Sequence, residues 1–155
     1  MQPRSLVAAA FAATLLVGGW AAPARADGFA DTVPDPNYRA CITDALSLPR
    51  DAEPTTEQLA GLTSLSCTRK GIQDLRGTDA LPKLEKLFVG NNAITDVAPL
   101  AGAKGLFSLG LEQNRITDIT ALEGLSKLRS VNLAGNRLRD ISVLGTLPEW
   151  ERIGG

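Results

Sequence analysis

Apolar side chains between Leu81 and Leu144 recur with a fixed step of 22 residues. Three successive copies follow the pattern L-x-x-L-x-[LV]-x-x-N-x-[IL]-x-D-[IV]-x-x-L, with Val131 in place of the second leucine in the third copy. One such unit cannot bury its own apolar positions, so consecutive units must stack and share a core. The pattern therefore predicts a solenoid. Two polar columns follow the same step: the asparagines Asn92, Asn114 and Asn136, and the aspartates Asp74, Asp96, Asp118 and Asp140.

The order of residues within a unit predicts its local structure. The L-x-[LV] segment alternates with period two, which is typical of a short strand, and successive strands would form a parallel sheet. The asparagine falls where the chain turns away from the strand, and its amide can satisfy both buried backbone donors and acceptors. The aspartate precedes a helical turn, and a carboxylate can accept hydrogen bonds from the free N–H groups there. We interpret both columns as structural ladders. Calcium along the aspartate column is the alternative, with one carboxylate per rung to hold it.

This is the leucine-rich-repeat pattern. The predicted fold class is α/β: a right-handed leucine-rich-repeat solenoid with a parallel sheet on its concave face, turns and short helices on its convex face, and a small helical N-terminal cap. The repeats are predicted over residues 59–155, as four repeats and a partial fifth that begin near 59, 81, 103, 125 and 147. The first repeat is degenerate, because Lys70 takes the place of the asparagine.

Residues 1–26 have the features of a secretory signal peptide. A basic start is followed by an apolar run from Ser5 to Trp20 and by small residues around Arg25. The predicted cleavage site follows Ala26, so the mature protein is predicted to be secreted. An N-terminal membrane anchor is the alternative, for which an apolar run of this length is short.

Residues 27–58 are predicted to form a leader and the helical cap. The segment from Asp27 to Val33 is predicted to be loose. A helix is then predicted from the P-D-P-N segment at 34–37 to about Leu46, because apolar residues fall on one of its faces. Thr55 and Thr56 precede Glu57 and Gln58, a pattern that predicts the start of a second short helix.

These segments and the repeats resemble the internalin family of exported bacterial leucine-rich-repeat proteins. The resemblance rests on P-D-P-N at 34–37, T-T-E-Q-L at 55–59, N-A-I-T-D-V-A-P-L at 92–100 and N-R-I-T-D-I-T-A-L at 114–122, and it covers roughly residues 33–147. It implies a curved solenoid that binds a protein partner on its concave strand face. Family members usually carry more repeats and a following immunoglobulin-like or wall-anchoring segment, and neither is predicted from this sequence.

The two cysteines fall where the cap would meet the first repeat. Cys41 lies on the apolar face of the predicted cap helix, and Cys67 takes an inward position of the first predicted strand. Export and an even cysteine count favour a disulfide between them. Two buried free thiols are the alternative, and two thiols without histidine make a poor zinc site.

Composition argues against several classes of function. The chain has 16 basic and 17 acidic residues and no histidine. This balance is unlike that of nucleic-acid-binding proteins. The absence of histidine removes the commonest general base, the Ser-His-Asp and Cys-His arrangements and histidine-ligated metals. We therefore predict a protein that is not an enzyme and that uses no cofactor or metal.

The remaining candidate chemistry is on the concave face. Phe88 is the one aromatic side chain among small, mostly polar residues there, which is typical of a binding anchor, although it is also consistent with an inconsequential surface residue. A basic column of Arg115 and Arg137 is a second candidate, with a solvated charged edge as the alternative. The predicted partner-binding residues are Phe88, Lys86, Ser66, Ser108, Glu112 and Asn132.

Two functions of different class remain. The first is an exported recognition module that binds an extracellular or cell-surface protein, or a glycan. The second is a passive structural or envelope-associated solenoid that self-associates through an open C-terminal end at Trp150 and Ile153. Neither involves nucleic acid or insertion into a membrane.

Overall fold

The computed structural model describes residues 28–147. The signal peptide predicted for residues 1–26, and both Trp150 and Ile153, lie outside these described residues. The described part of the chain confirms the predicted fold class. Its four strands form one parallel sheet in chain order, and every strand pairs with its neighbour through residues 22 positions apart. The strands are β1 (Ser64–Ser66), β2 (Lys86–Phe88), β3 (Ser108–Gly110) and β4 (Ser130–Asn132).

The middle residue of every strand points into the core, and the turns opposite the sheet bury the remaining frame positions. Leu87 and Leu109 are at most 1% exposed. The chain returns from each strand through a 3₁₀ turn, and the second to fourth turns also bury apolar residues, such as Leu100 and Leu122. Sheet and turns thus enclose a single layer of aliphatic side chains. The 3₁₀ turns span Thr78–Ala80, Ala98–Gly102, Thr120–Leu122 and Ser142–Thr146.

Three short helices form the cap: α1 (Phe29–Thr32), α2 (Pro36–Ala45) and α3 (Thr56–Ala60). Helix α2 begins after Asp35, whose carboxylate accepts hydrogen bonds from the N–H groups of Asn37 and Tyr38. It buries Tyr38, Cys41, Ile42 and Thr43, whereas Ala45 is exposed. Helix α3 begins with a capping box formed by Thr55 and Gln58, in agreement with the sequence pattern.

The expectation of a loose leader at 27–33 was wrong. Helix α1 lies in this segment, and both Phe29 and Val33 are buried in the core. A Cβ at Gly77 would overlap Val33 Cγ2 and lie 2.7 Å from the Thr32 carbonyl oxygen, and Gly77 has a positive φ of 91°. The leader therefore packs directly on the first repeat at a position that only glycine suits. Arg39 of α2 also holds the leader, by donating from Nη1 to the carbonyl oxygen of Val33 at 2.7 Å.

Candidate functional site

The asparagine column joins each rung to the preceding one. Asn114 Nδ2 donates to the carbonyl oxygens of Leu111 and Val89, each at 3.0 Å, and its Oδ1 accepts from the Ile94 N–H at 3.1 Å. Asn92 and Asn136 make the equivalent bonds one rung earlier and one rung later. These side chains are committed to the backbone, which leaves them little capacity for a ligand.

The aspartate column is also engaged with the backbone. Asp96, Asp118 and Asp140 each accept a hydrogen bond at 2.7 Å from the N–H two residues later, where a 3₁₀ turn begins. Asp74 accepts from the Arg76 N–H at 2.8 Å and forms an ion pair with the Arg76 guanidinium. Within residues 28–147, no three acidic or cysteine side chains lie close enough together to hold a metal ion.

Two of these carboxylates have lowered pKa values. The pKa of Asp118 lies below its usual range mainly because the Thr120 hydroxyl donates to the carboxylate, with a further contribution from the Thr120 N–H. The pKa of Asp140 is lowered mainly by the Ser142 N–H. Both carboxylates therefore remain ionised at neutral pH, as acceptors for their turns.

The side chains that flank each buried strand residue form the strand face, which we define as the outward side of β1 to β4. Phe88 is 37% exposed on this face, whereas Leu87 and Val89 on either side of it are fully buried. Its partners in the neighbouring strands are Ser66 and Gly110. The predicted strand register is therefore the register of the structure.

Two glycines make room on the strand face for Phe88 and Glu112. A Cβ at Gly110 would lie 2.9 Å from Phe88 Cδ1, so the aromatic ring leans over β3. A Cβ at Gly90 would overlap the Glu112 carboxylate, which also lies beside Gly110. The backbone at the two glycines thus forms a flat surface, a backbone floor, on which the Phe88 ring and the Glu112 carboxylate lie next to each other.

The other candidate residues of the strand face are less prominent. Lys86 and Ser66 are exposed, and Ser108 and Glu112 are half-buried. Asn132 is half-buried, and its Oδ1 accepts a hydrogen bond from the Ala134 N–H at 3.2 Å, so part of its capacity is used locally. Phe88 is therefore an exposed aromatic side chain surrounded by mostly polar ones.

Sequence reasoning missed a second surface, which we call the edge groove. It has a volume of about 560 Å³ and lies where the strands begin. Phe107 lines it and is 48% exposed, more than Phe88. Its position follows the 22-residue step through Thr63, Glu85 and Arg129, each directly before a strand. A comparison of aromatic residues along every column of the repeat would have found it.

The structure confirms a disulfide between Cys41 and Cys67, with Cα atoms 5.8 Å apart. Both cysteines are buried between the cap and the first repeat. The arginines Arg115 and Arg137 of the predicted basic column are exposed. No helix within residues 28–147 is long and apolar enough to cross a membrane.

Comparison with known proteins agrees with this architecture. Residues 82–138 match the leucine-rich repeat family. Internalin J of Listeria monocytogenes is 35% identical over 71 residues, which is 46% of this chain and 8% of the longer protein.

Two solved structures from Listeria monocytogenes are similar in fold. An internalin, inlF, is 31% identical with a TM-score of 0.73, and the match covers 81% of this chain and 36% of the other. The functional domain of InlJ, described as including a cysteine ladder, is 32% identical with a TM-score of 0.68, and the match covers 77% of this chain and 26% of the other. The matched part of this chain therefore spans less than two fifths of the length of each of these relatives.

Proposed function

Because this chain is an internalin-like leucine-rich-repeat solenoid, we propose that it is an exported, non-catalytic recognition module. Its fold supports a protein-interaction role, and the concave strand face is the surface we assign to a protein partner. The partner is an extracellular or cell-surface protein, with a glycan as the alternative ligand.

The observation that carries the proposal is the setting of Phe88. A ring that is 37% exposed offers apolar area to a partner, and the ring lies against the backbone of Gly110, where a Cβ would leave it no room. Aromatic anchors of this kind contribute a large part of the binding energy at protein interfaces. Lys86 and Glu112 nearby provide charges of both signs, which would select the orientation of a partner.

The size of the strand face also favours an anchor. Four strands separated by roughly 4.8 Å give a sheet about 15 Å wide between its outer strands. A sheet of this width offers less area than the roughly 800 Å² per partner of a standard interface. The contacts must therefore extend beyond the sheet or recur on several copies of the protein. A single well-placed aromatic side chain would then contribute a large share of the affinity.

Export is supported by two independent features. The sequence of residues 1–26 predicts a signal peptide. The Cys41–Cys67 bond is stable in the oxidising compartments that exported proteins reach.

The absence of histidine from the whole chain supports a function without acid–base catalysis.

The test compares Phe88→Ala with Leu87→Ala. We expect Phe88→Ala to change the free energy of unfolding by less than about 1 kcal/mol and to weaken partner binding about 30-fold, which corresponds to roughly 2 kcal/mol. Leu87→Ala should instead cost about 2–5 kcal/mol of stability. Thermal melts and a pull-down from cell-surface extracts measure the two effects.

Ile141→Ala is the matched control, because it removes an exposed apolar side chain away from the strand face. It should recover the same partners as the parent protein. If Phe88→Ala also recovers them with the affinity of the parent, the strand face is not the binding site.

The second candidate function is self-association through the fourth rung, the last that the structure describes. Ile141 is 59% exposed, although the equivalent residues Val97 and Ile119 in the two preceding rungs are each 1% exposed. A second copy could cover this apolar position. Light scattering of the secreted protein tests it: a concentration-independent monomer would contradict self-association, and an oligomer that Ile141→Lys dissociates would support it.

A further inference from the structure

The edge groove combines an exposed aromatic ring with two lysines. Lys83, Gly105 and Lys127 occupy equivalent positions in successive repeats, 22 residues apart, and all three line the groove. Gly105 contributes no side chain on the middle rung, where a Cβ would lie 3.0 Å from the carbonyl oxygen of Leu84, so only backbone borders the groove there. Phe107 follows on the same rung and forms one wall of the groove.

The charges of the groove are not neutralised by their neighbours. Within residues 28–147, ion pairs form around Asp44 and Asp74 but involve none of the charged residues that line the groove. These residues are Lys83, Glu85, Lys127 and Arg129, which give the groove an excess of positive charge. The charge is uneven, because Glu85 lies on the rung of β2 while Lys127 and Arg129 lie on the rung of β4.

The backbone beside the groove is already hydrogen-bonded. The N–H groups of Phe107 and Arg129 donate to the carbonyl oxygens of Glu85 and Phe107 on the preceding rungs, at 2.7 and 2.9 Å. A ligand therefore cannot bind there by extending the sheet, and side chains must make the contacts.

We infer that the edge groove binds an extended acidic segment of a partner protein. The segment would place an apolar side chain against Phe107, between two carboxylates that pair with Lys83 and Lys127. The two lysines lie two rungs apart, which is roughly 10 Å. Side chains four residues apart on one face of an extended segment are roughly 13 Å apart, a difference that flexible lysine side chains accommodate. Arg129 adds positive charge at the β4 end, so the more acidic end of the segment lies there.

The chemistry of the groove favours a peptide over an anionic glycan. Thr63 is the one uncharged hydrogen-bonding side chain among the residues that line it. A sugar presents many hydroxyl groups that need directional donors and acceptors, whereas cations around an apolar ring match carboxylates beside an apolar side chain. The proposal does not depend on Phe88 or on the partner of the strand face.

The test is an NMR titration of the isotope-labelled full protein, which detects weak binding. The probe is a synthetic peptide with a central leucine between two aspartates, each separated from it by one serine. We expect the amide resonances of Gly105, Phe107 and Lys127 to shift on binding, and the affinity to fall as ionic strength rises. A peptide with asparagine in place of both aspartates should bind at least about tenfold more weakly.

Variants assign the contacts. We expect Phe107→Ala, and separately the double variant Lys83→Gln/Lys127→Gln, to weaken peptide binding about tenfold or more. All of these residues are exposed, so their variants should melt like the parent. Phe88→Ala and Arg137→Gln, which change an aromatic residue and a cation outside the groove, should bind the peptide as the parent does.

Three results would overturn the inference. The first is the absence of resonance shifts with the acidic peptide. The second is equal affinity of Phe107→Ala and the parent. The third is binding of a polyuronate glycan that shifts the same resonances while the peptide does not, which would assign the groove to a glycan.

Discussion

The joint between the cap and the first rung and the joints between interior rungs use different side chains. At the third rung, the amide of Asn114 donates to two carbonyl oxygens at 3.0 Å and accepts from the Ile94 N–H. At the first rung, Asp35 only accepts. Its Oδ1 bonds the N–H groups of Asn37 and Tyr38 in α2, and its Oδ2 bonds those of Gln73 and Asp74 at 2.7 and 3.1 Å.

The difference follows from what each neighbour presents. Inside the stack, two similar turns face each other, and each offers both N–H and C=O groups, so an amide suits the position. At the cap, the N-terminus of a helix faces the open edge of a turn. Both offer N–H groups, and a carboxylate accepts from both. The cap is therefore joined to the first rung by a different chemical group at different N–H groups, whereas Asn92 bonds Ile72 and Cys67 of that rung as in the interior.

The largest loss of stability should come from removal of the disulfide that joins the cap to the first repeat. The Cys41–Cys67 bond has a sequence separation of 26 residues, and the chain-entropy estimate for a loop of this length is roughly 3–4 kcal/mol. We expect Cys41→Ala/Cys67→Ala to lose about that much in a denaturant titration. The parent protein under reducing conditions is the control, and it should lose a similar amount. An unchanged midpoint would mean that the non-covalent contacts alone hold the cap.

Substitutions of Asp35 separate its two roles, as the cap of α2 and as the acceptor for the N–H groups of Gln73 and Asp74. Asp35→Asn retains one acceptor for α2 but places an NH₂ group against the N–H groups of Gln73 and Asp74. We expect a loss of about 2 kcal/mol, and about 3 kcal/mol for Asp35→Ala, which also removes the helix cap. Chemical denaturation measures both. If Asp35→Asn is as stable as the parent, the bonds to the first rung contribute nothing.

Removal of the amide from the interior ladder should have a somewhat smaller effect that depends on burial. Asn114 is 6% exposed, whereas Asn136 is half-buried. Asn114→Leu leaves buried backbone groups unpaired and should cost about 2 kcal/mol, with roughly half of that for Asn136→Leu. Thermal melts of the two variants compare them directly. Equal losses of stability in the two variants would show that solvent does not reach the rung of Asn136.

The smallest effect concerns Tyr38, which joins the cap to the first repeat. Its hydroxyl group lies 3.0 Å from Thr78 Oγ1. Burial raises its pKa to about 12 from 10.0, although the bond to Thr78 acts in the opposite direction. The unfolded chain ionises first, so this stabilisation is complete below pH 10 and is lost as the pH rises towards about 12.

Tyr38 is the one tyrosine of the chain, so tyrosinate absorbance reports on it alone. We expect the folded protein to titrate near the raised value and the denatured protein near the ordinary one. Tyr38→Phe should abolish the signal and cost about 1 kcal/mol below pH 10. A folded-state titration close to the ordinary value would show that water reaches the hydroxyl group.

The sequence predicted the features that are repeated. The strand register, the outward position of Phe88 and the class of fold all follow from a pattern that three copies reinforce. The leader was misjudged because Phe29 and Val33 occur once and are too close together to establish a periodicity. Their burial depends on the space above Gly77, which belongs to a distant part of the chain.

The double role of Asp35 and the edge groove were missed for related reasons. Asp35 was part of a recognised motif, but its bonds to Gln73 and Asp74 arise only when the cap docks on the first rung. Phe107 lies one residue before its strand, outside the alternating inward and outward positions of the strand. Its exposure and the groove beside it depend on the shape of four adjacent rungs.

The asparagine ladder also has a consequence for changes in chain length. Each asparagine of the ladder bonds to backbone groups at fixed distances along the chain. It donates to carbonyl oxygens three and 25 positions before it and accepts from the N–H group 20 positions before it. Deletion of residues 92–113 would place Asn114 where Asn92 had been, with equivalent partners within reach. Deletion of one residue more or less would move the amide away from all of them. Duplication or loss of a complete unit therefore preserves the bonds of the ladder, so the solenoid can vary in length by whole repeats.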